Sequence, residues 1–344
     1  MPATAPDVIG IDLGGTNVNL ALVGGDGSIL DREHAATPTG DPAAAIAVLA
    51  DRVARLAERA PADRRPRAVG IAAAGAIDMP RGVVLEAPNL RWRDVPLREE
   101  LARATGLPVA LENDVNGAAW GEHRARVAAG RSPEDGSLLA VWVGTGVGGG
   151  LVMGGGVVHG DRHTAGELGH VVVRPDEPRG HRTVEDLCSR SGLQRRIAAG
   201  LRDGTIDPEG MLGAFARAAA EADPRPELEP PSGRRSSGPR PNTRDLVAAW
   251  DAHDPDAVRL LADAASLLGT AIAGCVTLLS LPAVVLGGGM VEALGEPWVD
   301  RIRDAFRDAV FPAALGDVPL EVTRLRDLAG MLGAADLARR AIDG

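Results

Sequence analysis

The chain has 344 residues, of which 45% are hydrophobic, and its formal net charge is −10. This length is sufficient for two domains with sizeable cores. All 37 basic residues are arginines, which excludes every site that requires a lysine, such as a Walker A loop or a Schiff base. The acidic balance and the lack of basic stripes argue against nucleic acid as a partner.

The cysteine count and the apolar segments predict a cytoplasmic protein without a membrane partner. Two cysteines provide no disulfide framework and fit a reducing compartment. Residues 1–7 lack the basic and apolar regions of an export signal. Residues 264–291 carry no charge and are long enough to cross a membrane. Because Pro282 divides them, we interpret them as a buried helix at about 259–280 followed by a buried strand at 283–286.

In chain order, the first predicted element is a β-hairpin over residues 9–23, where alternating apolar residues bracket two glycines. The glycines permit a positive φ and a close approach of the backbone, so that their N–H groups can face phosphate oxygens. The acid before the turn can hold Mg²⁺ through water, and the threonine adds a hydroxyl. An ordinary hairpin turn is the alternative if this stretch is taken alone. The candidate nucleotide-binding residues here are Asp12, Gly14, Gly15, Thr16 and Asn17.

The next elements alternate between helices and strands, which indicates an α/β architecture. They are a helix at 43–60, a strand at Ala68–Ala73, a helix at Leu97–Thr105, a strand at Val109–Glu112 and a helix at about 115–128. Asn113 and Asp114 follow a strand at its carboxyl end, where open α/β sheets bind ligands. Together they can bind a sugar diol, and the Asp114 carboxylate can accept a hydroxyl proton as general base. The alternative is that Asp114 only caps the following helix.

A second glycine turn, Gly144-Thr145-Gly146, follows a predicted buried strand at Leu138–Val143. Residues 144–149 match G-x-G-x-x-G, but a dinucleotide-binding loop must open a helix. Here another strand follows, which predicts a second strand–turn–strand unit. Two such turns can hold one polyphosphate from opposite sides, with a hydroxyl from Thr145 and backbone donors from Gly144 and Gly146.

A third glycine run, Gly287-Gly288-Gly289, follows the later apolar strand and provides a surface for a nucleotide base or ribose. Residues 222–243 are rich in Pro, Ser, Gly and Arg, which predicts a mobile surface loop. A final helix at Asp327–Ala341 is expected to pack on the first domain. The predicted domains are an N-terminal α/β domain of residues 1–117, joined by the helix 327–344, and a C-terminal α/β domain of residues 118–326.

A series of motifs in this order resembles the ROK family of sugar kinases and repressors, in particular its bacterial glucokinase branch. The motifs are Asp12-Leu13-Gly14-Gly15-Thr16, residues 87–97, Glu112-Asn113-Asp114-Val115-Asn116, residues 144–150, Gly166-Glu167-Leu168-Gly169-His170 and Leu286-Gly287-Gly288-Gly289. The resemblance implies a two-domain actin-like (ribonuclease H-like) fold. It also implies transfer of a phosphoryl group from ATP, with Mg²⁺, to O6 of a hexose, with glucose as the first expectation. A homodimer or homotetramer is implied as well.

The resemblance further implies which residues bind the sugar. They are Gly75, Asn113, Asp114, Glu167, His170 and Glu185. Asp114 is the general base among them, and Glu185 matches a second sugar-binding glutamate. Ala74 stands where relatives commonly have a proline, which leaves the geometry of the neighbouring Gly75 turn open.

The sequence departs from the family at its zinc site. Family kinases usually carry a cysteine-rich segment after the histidine of the Gly-Glu-x-Gly-His motif, and it binds structural zinc. Residues 171–184 contain no cysteine, so no structural zinc is expected, and local polar contacts must hold Glu185 instead. The alternative is a rebuilt zinc site of His163, His170, His181 and Cys188.

Three other functions would use some of the same residues. A kinase for mannose, fructose, allose or an N-acetylhexosamine would share the phosphate-binding residues and the base. A repressor of this family would carry a winged-helix domain ahead of the first hairpin, and only six residues precede Asp7. Asp12, Asp114 and the two glycine turns argue against a non-catalytic sugar-binding protein.

Overall fold

A computed structural model describes residues 5–38, 40–222 and 241–343. The strands are β1 (Val8–Leu13), β2 (Asn17–Val23), β3 (Ile29–Ala36), β4 (Val69–Ala73), β5 (Ala76–Asp78), β6 (Val83–Ala87), β7 (Trp92–Val95), β8 (Val109–Asn113), β9 (Leu138–Val143), β10 (Val147–Met153), β11 (Gly156–Val157), β12 (Val284–Gly287) and β13 (Leu320–Val322). The α-helices are α1 (Pro42–Arg59), α2 (Leu97–Thr105), α3 (Asp114–Ala128), α4 (Val184–Cys188), α5 (Arg190–Asp203), α6 (Met211–Ala222), α7 (Thr243–Asp251), α8 (Pro255–Leu279), α9 (Gly289–Ala309) and α10 (Ala329–Asp343). The predicted loop at 222–243 lies outside the described residues except at its two ends.

The chain divides into two compact units. Unit 1 comprises Met1–Ala140, Gly150–Gly166 and Thr323–Gly344, and unit 2 comprises Val141–Gly149 and Glu167–Val322. The domain boundary predicted at residue 117 falls inside α3, which continues to Ala128. The units instead divide the chain within β9 and again within β10.

Unit 1 is built on a five-stranded sheet with the order β3-β2-β1-β4-β8. β1 and β2 form the predicted antiparallel hairpin, whereas β1, β4 and β8 run parallel. One face of this sheet buries Ile11 and Leu20 with Leu49 of α1. The other face buries Val8 with Met331 of α10. The carboxyl ends of β1 and β8 therefore carry Asp12 and Asn113 at the same edge of the sheet.

Two strand glycines let α10 lie directly on this sheet. A β-carbon at Gly10 would clash with the carbonyl oxygen of Met331, and one at Gly70 would clash with that of Ala334. A larger residue at either position would push the helix away from β1 and β4. The C-terminal helix is therefore part of the core of unit 1.

A second five-stranded sheet has the order β11-β10-β9-β12-β13, and a three-stranded sheet has the order β5-β6-β7. β9 and β10 are neighbours in this sheet, so the second glycine turn lies between two strands, as predicted, and does not open a helix. β10 and β11 pair antiparallel. β12 and β13 run parallel.

The long apolar helix α8 packs along α9 in unit 2. It begins earlier than predicted because Asp254 caps it by accepting a hydrogen bond from Ala257 N and Pro255 occupies its first turn. Its length and composition would allow it to span a membrane, and 50% of its apolar segment is buried. Leu261 and Ile272 are fully buried, which supports the interpretation of α8 as a core helix.

Candidate active site

The first glycine turn joins β1 to β2 in unit 1. The Gly14 N–H donates to the Asn17 carbonyl at 3.1 Å, which closes the turn. The Thr37 hydroxyl donates to the Gly14 carbonyl at 2.7 Å, and the Thr37 N–H donates to the Thr16 carbonyl at 2.8 Å. The turn is therefore held from outside the hairpin as well as from within it.

The reason for glycine in this turn differs from the prediction. Neither Gly14 nor Gly15 has a positive φ, so that part of the prediction was wrong. A β-carbon at Gly15 would lie 2.5 Å from the β-carbon of Asn89. Glycine is needed at position 15 because the Asn89 side chain packs directly against the backbone.

Asp12 lies at the end of β1, where its charge is strongly disfavoured. Burial and, after it, the negative charge of Asp114 raise the pKa of Asp12 from 3.8 to about 7, against an opposing hydrogen bond with Asn19. Asp327 adds a smaller repulsion. The charges of two other carboxylates of unit 1 thus disfavour a charge on Asp12, and a divalent cation would relieve that repulsion.

The turn between β8 and α3 positions Asp114. Asn113 caps the helix, because its Oδ1 accepts hydrogen bonds from Val115 N at 3.0 Å and Asn116 N at 3.1 Å. Its Nδ2 donates to the Gly75 carbonyl at 3.1 Å. Asp114 is the first residue of α3, so the capping role that was the alternative interpretation of Asp114 belongs to Asn113.

A hydrogen-bonded pair of a buried glutamate, Glu112, and a half-buried histidine, His159, lies behind this turn. Glu112 is only 3% exposed, and its Oε1 accepts hydrogen bonds from Asn113 N at 2.9 Å and from Asn116 Nδ2 at 3.2 Å. Its Oε2 lies 2.8 Å from His159 Nε2. This hydrogen bond holds the pKa of His159 above its ordinary value. Sequence reasoning missed His159, because 47 residues separate it from Glu112 and no local pattern links them.

The second glycine turn lies in unit 2 and closes through a hydrogen bond from Gly144 N to the Gly146 carbonyl at 2.9 Å. The Glu185 Oε2 accepts a hydrogen bond from Val147 N at 3.1 Å. A β-carbon at Gly146 would clash with this carboxylate oxygen, whereas nothing lies within 4 Å of a β-carbon at Gly144. Glu185 and the turn are therefore packed together, and the turn is open to a ligand on the side of Gly144.

The predicted sugar-binding pair of the Gly-Glu-x-Gly-His motif is exposed in this structure. Glu167 precedes a short 3-10 helix, Leu168–His170, and its Oε2 lies 3.8 Å from His170 Nε2. Their side chains are 58% and 48% exposed. Both groups are therefore accessible to a polar ligand.

Ion pairs and a capping box hold the segment that carries Glu185. The Thr183 side chain accepts a hydrogen bond from Asp186 N, and the Asp186 side chain accepts one from Thr183 N. Arg174, in the preceding loop, and Arg196 of α5 both contact Asp263 of α8, at 2.6 Å and 2.5 Å. These are local polar contacts of the kind that the cysteine-free segment requires.

The residues of the rebuilt zinc site do not gather. Within residues 5–38, 40–222 and 241–343, no three or more His, Cys, Asp or Glu side chains are arranged to hold a metal ion. The Cys188 thiol is buried and donates to the Ala264 carbonyl at 3.3 Å. Burial raises the pKa of Cys188 to about 12, so it stays a thiol, which is a poor zinc ligand.

The third glycine run has a packing role at two of its three positions. A β-carbon at Gly287 would lie 2.7 Å from the Trp142 ring, and one at Gly288 would lie 2.6 Å from the Val143 carbonyl oxygen. Gly288 also has a φ of +90°. Nothing lies within 4 Å of a β-carbon at Gly289, so the open space for a ligand is at the start of α9.

The profile of the ROK family matches residues 8–341. The chain belongs to the ROK family. The glucokinase of Streptomyces coelicolor is 31% identical over 333 residues, which cover 96% of this chain and 97% of that protein. The solved ROK hexokinase from Thermus thermophilus superposes with a TM-score of 0.76 at 30% identity, covering 98% of this chain and 100% of that one. A ROK family glucokinase from Streptomyces griseus, solved in complex with glucose and AMPPNP, gives a TM-score of 0.72 at 31% identity, covering 97% and 99%.

These ROK structures confirm the two-domain actin-like fold predicted from the sequence. All predicted site residues lie in the described part of the chain. Unit 1 holds the first glycine turn, Asp12, Gly75, Asn113 and Asp114. Unit 2 holds the second and third glycine runs, Glu167, His170 and Glu185.

Proposed function

We propose that this ROK protein transfers the terminal phosphoryl group of ATP to O6 of glucose, with Asp114 as general base. Its enzyme class is that of the ATP-dependent sugar kinases. One observation above all supports the role of Asp114. Asn113 is the N-cap of α3, so the first turn of the helix does not depend on Asp114 alone, whose Oδ1 also accepts a hydrogen bond from Val115 N at 2.9 Å.

In the proposed reaction, a sugar hydroxyl attacks the phosphorus and passes its proton to Asp114. A base must lie within hydrogen-bond reach of that proton, and it acts most efficiently from a fixed position. The Glu112 and Asn113 hydrogen bonds fix the backbone on which Asp114 stands. The mutual repulsion with Asp12 makes a proton at this pair more favourable than it would be at an isolated carboxylate.

The nucleotide is proposed to bind at the glycine turns, where backbone N–H groups can donate to phosphate oxygens. In the described part of the chain the acidic side chains near Asp12 do not gather as direct metal ligands, but the repulsion of Asp12 by Asp114 and Asp327 suits a Mg²⁺ ion held through water. Asp12 would hold the ion through water, and the ion would supply charge neutralisation for the phosphates.

The sugar is proposed to bind to the second proton of the Asn113 amide and to the exposed Glu167 and His170. Glu185 joins them in this proposal. Its Oε2 is occupied by Val147 N, which leaves Oε1 for a sugar hydroxyl. Carboxylate acceptors paired with amide and imidazole donors suit hydroxyls, since each hydroxyl both donates and accepts.

The test is ADP release coupled to a detector enzyme, measured across glucose, mannose, fructose, allose and N-acetylhexosamines. The highest kcat/KM is expected with glucose. Asp114→Asn should lower kcat by about 10² or more while the KM for glucose changes only a few-fold. Asp63→Asn, an exposed acid in the same unit, is the matched control. Near-normal turnover of Asp114→Asn would refute the base, and a preference for another sugar would refute glucose.

We also propose that the protein is a cytoplasmic homodimer or homotetramer. The ROK resemblance supports this proposal, together with a cysteine content that fits a reducing compartment. Light scattering coupled to gel filtration measures the assembly directly, and a monomer at micromolar concentration would contradict it.

A further inference from the structure

Arg190 lies against the second glycine turn, and three hydrogen bonds from Arg190 and its neighbour Ser191 bind this segment to the turn. Its backbone N–H donates to the Gly144 carbonyl at 2.9 Å, and the next residue, Ser191, donates to the Thr145 carbonyl at 3.3 Å. Its guanidinium Nη2 donates to the Thr145 hydroxyl at 2.5 Å. The residue as a whole is partly buried and its hydrogen bond to Thr145 is exposed, so the cation is held beside the turn at the surface, where a ligand can reach it.

The charge of Arg190 is not neutralised by its described surroundings. Two other arginines of the same helix pair with acids, Arg195 with Asp186 at 3.4 Å and Arg196 with Asp263 at 2.5 Å. In the part of the chain that the structure describes, the guanidinium of Arg190 contacts only the neutral Thr145 hydroxyl. Arg190 is also the first residue of α5, and a cation at a helix N-terminus is disfavoured by the helix dipole. Helix stability therefore does not explain an arginine at this position.

A phosphate group would satisfy this cation. Guanidinium groups bind phosphate oxygens through paired, charge-assisted hydrogen bonds. The chain has no lysine to do so, and the space beside Gly144 is open. We propose that Arg190 binds the polyphosphate of the nucleotide at this turn, with the Thr145 hydroxyl orienting its guanidinium. The inference rests on the proposed function, since it names a residue that serves the same nucleotide.

The test measures ADP binding by calorimetry, together with the KM for ATP and for glucose. Arg190→Gln should weaken ADP binding and raise the KM for ATP at least about tenfold, because one charge-assisted hydrogen bond is worth about a factor of ten or more. The KM for glucose should stay within about twofold of wild type. Arg202→Gln is the matched control. It removes the same charge from the exposed last turn of α5, about 18 Å along the helix, and should bind ADP like wild type.

Arg190→Lys distinguishes a loss of phosphate binding from a folding defect, since lysine keeps the positive charge but lacks the planar guanidinium. Its ADP affinity should fall between those of wild type and Arg190→Gln. Wild-type ADP affinity in both Arg190 variants would overturn the inference, as would an equal loss in Arg202→Gln. ADP binding that depends on Arg190 in a protein that phosphorylates no hexose would refute the proposed function and support this inference.

Discussion

Replacing Asp12 with asparagine should stabilise the ligand-free protein while it abolishes activity. Burial and the charge of Asp114 raise the pKa of Asp12 from 3.8 to about 7. Between these two pH values the folded chain keeps a proton that the unfolded chain has lost. The free energy of unfolding therefore falls as pH rises through this window, and the full penalty persists above it. Asparagine carries no charge, so the variant is free of this penalty.

The size of the effect follows from the same pKa values. One pKa unit is worth about 1.4 kcal/mol, so the wild type forfeits about 4 kcal/mol above pH 7. About half of this is already lost at about pH 5.5. The stability gained by Asp12→Asn should therefore be about 2 kcal/mol larger at about pH 8 than at about pH 5.5. Comparing the two proteins at each pH cancels the titrating groups that do not interact with Asp12.

Urea denaturation without Mg²⁺ or nucleotide, monitored by tryptophan fluorescence, measures the stability gained by Asp12→Asn at each of the two pH values. Asp114→Asn is an informative second variant, because it removes the second-largest cause of the shift and should reduce the pH dependence without eliminating it. An Asp12→Asn gain of equal size at both pH values would refute the assignment of a raised pKa. A variant that retained turnover would show that Asp12 has no part in catalysis.

Three further predictions concern the rest of the site. His159→Gln should be less stable than wild type, most of all at acid pH, because the charged pair with Glu112 exists only while the imidazole is protonated. The difference in free energy of unfolding should shrink as pH rises through the raised pKa of His159, and a difference independent of pH in urea titrations would contradict this. Gly146→Ala should raise the KM for glucose as well as for ATP, since the added methyl displaces Glu185. Its matched control, Gly144→Ala, faces open space and should raise the KM for ATP alone, so identical kinetics of the two variants would count against the arrangement. Purified protein should contain well under one zinc per chain and remain active in EDTA once Mg²⁺ is restored, and stoichiometric zinc lost together with activity would reverse this expectation.

The sequence was most informative where local pattern decides structure. The bounds of α2 and β9 match the predictions, because α2 ends at Gly106 in the left-handed conformation and β9 is a continuous apolar run. The start of α8 was placed four residues too late, although Asp254 followed by Pro255 is a recognisable cap and first turn. Tertiary contacts explain the rest. The reason for Gly15 is a side chain 74 positions away in the chain, Asn89, which no local rule can identify.

The candidate site also contains residues that local pattern predicts and residues that only tertiary contacts identify. Its motif residues were predictable, because glycine turns and polar residues after strands have recognisable patterns. The supporting residues were not. His159 is recognised only by its distance to Glu112, and Arg190 only by its place beside Thr145. In the sequence, an arginine that begins a helix is indistinguishable from the many arginines on solvated faces.

The segment around Glu185 is held by a different chemistry from the zinc site of family kinases. A structural zinc contributes on the order of 10 kcal/mol to the fold that surrounds it. Here a capping box contributes about 1 kcal/mol, and the two ion pairs of Asp263, which is one-third exposed, contribute about 1 kcal/mol or less each. The smaller total suffices only because Glu185 is also bound to the strand it serves, through Val147 N. Salt screens ion pairs and does not remove a metal, so we expect the position of this glutamate to respond to ionic strength and not to chelators.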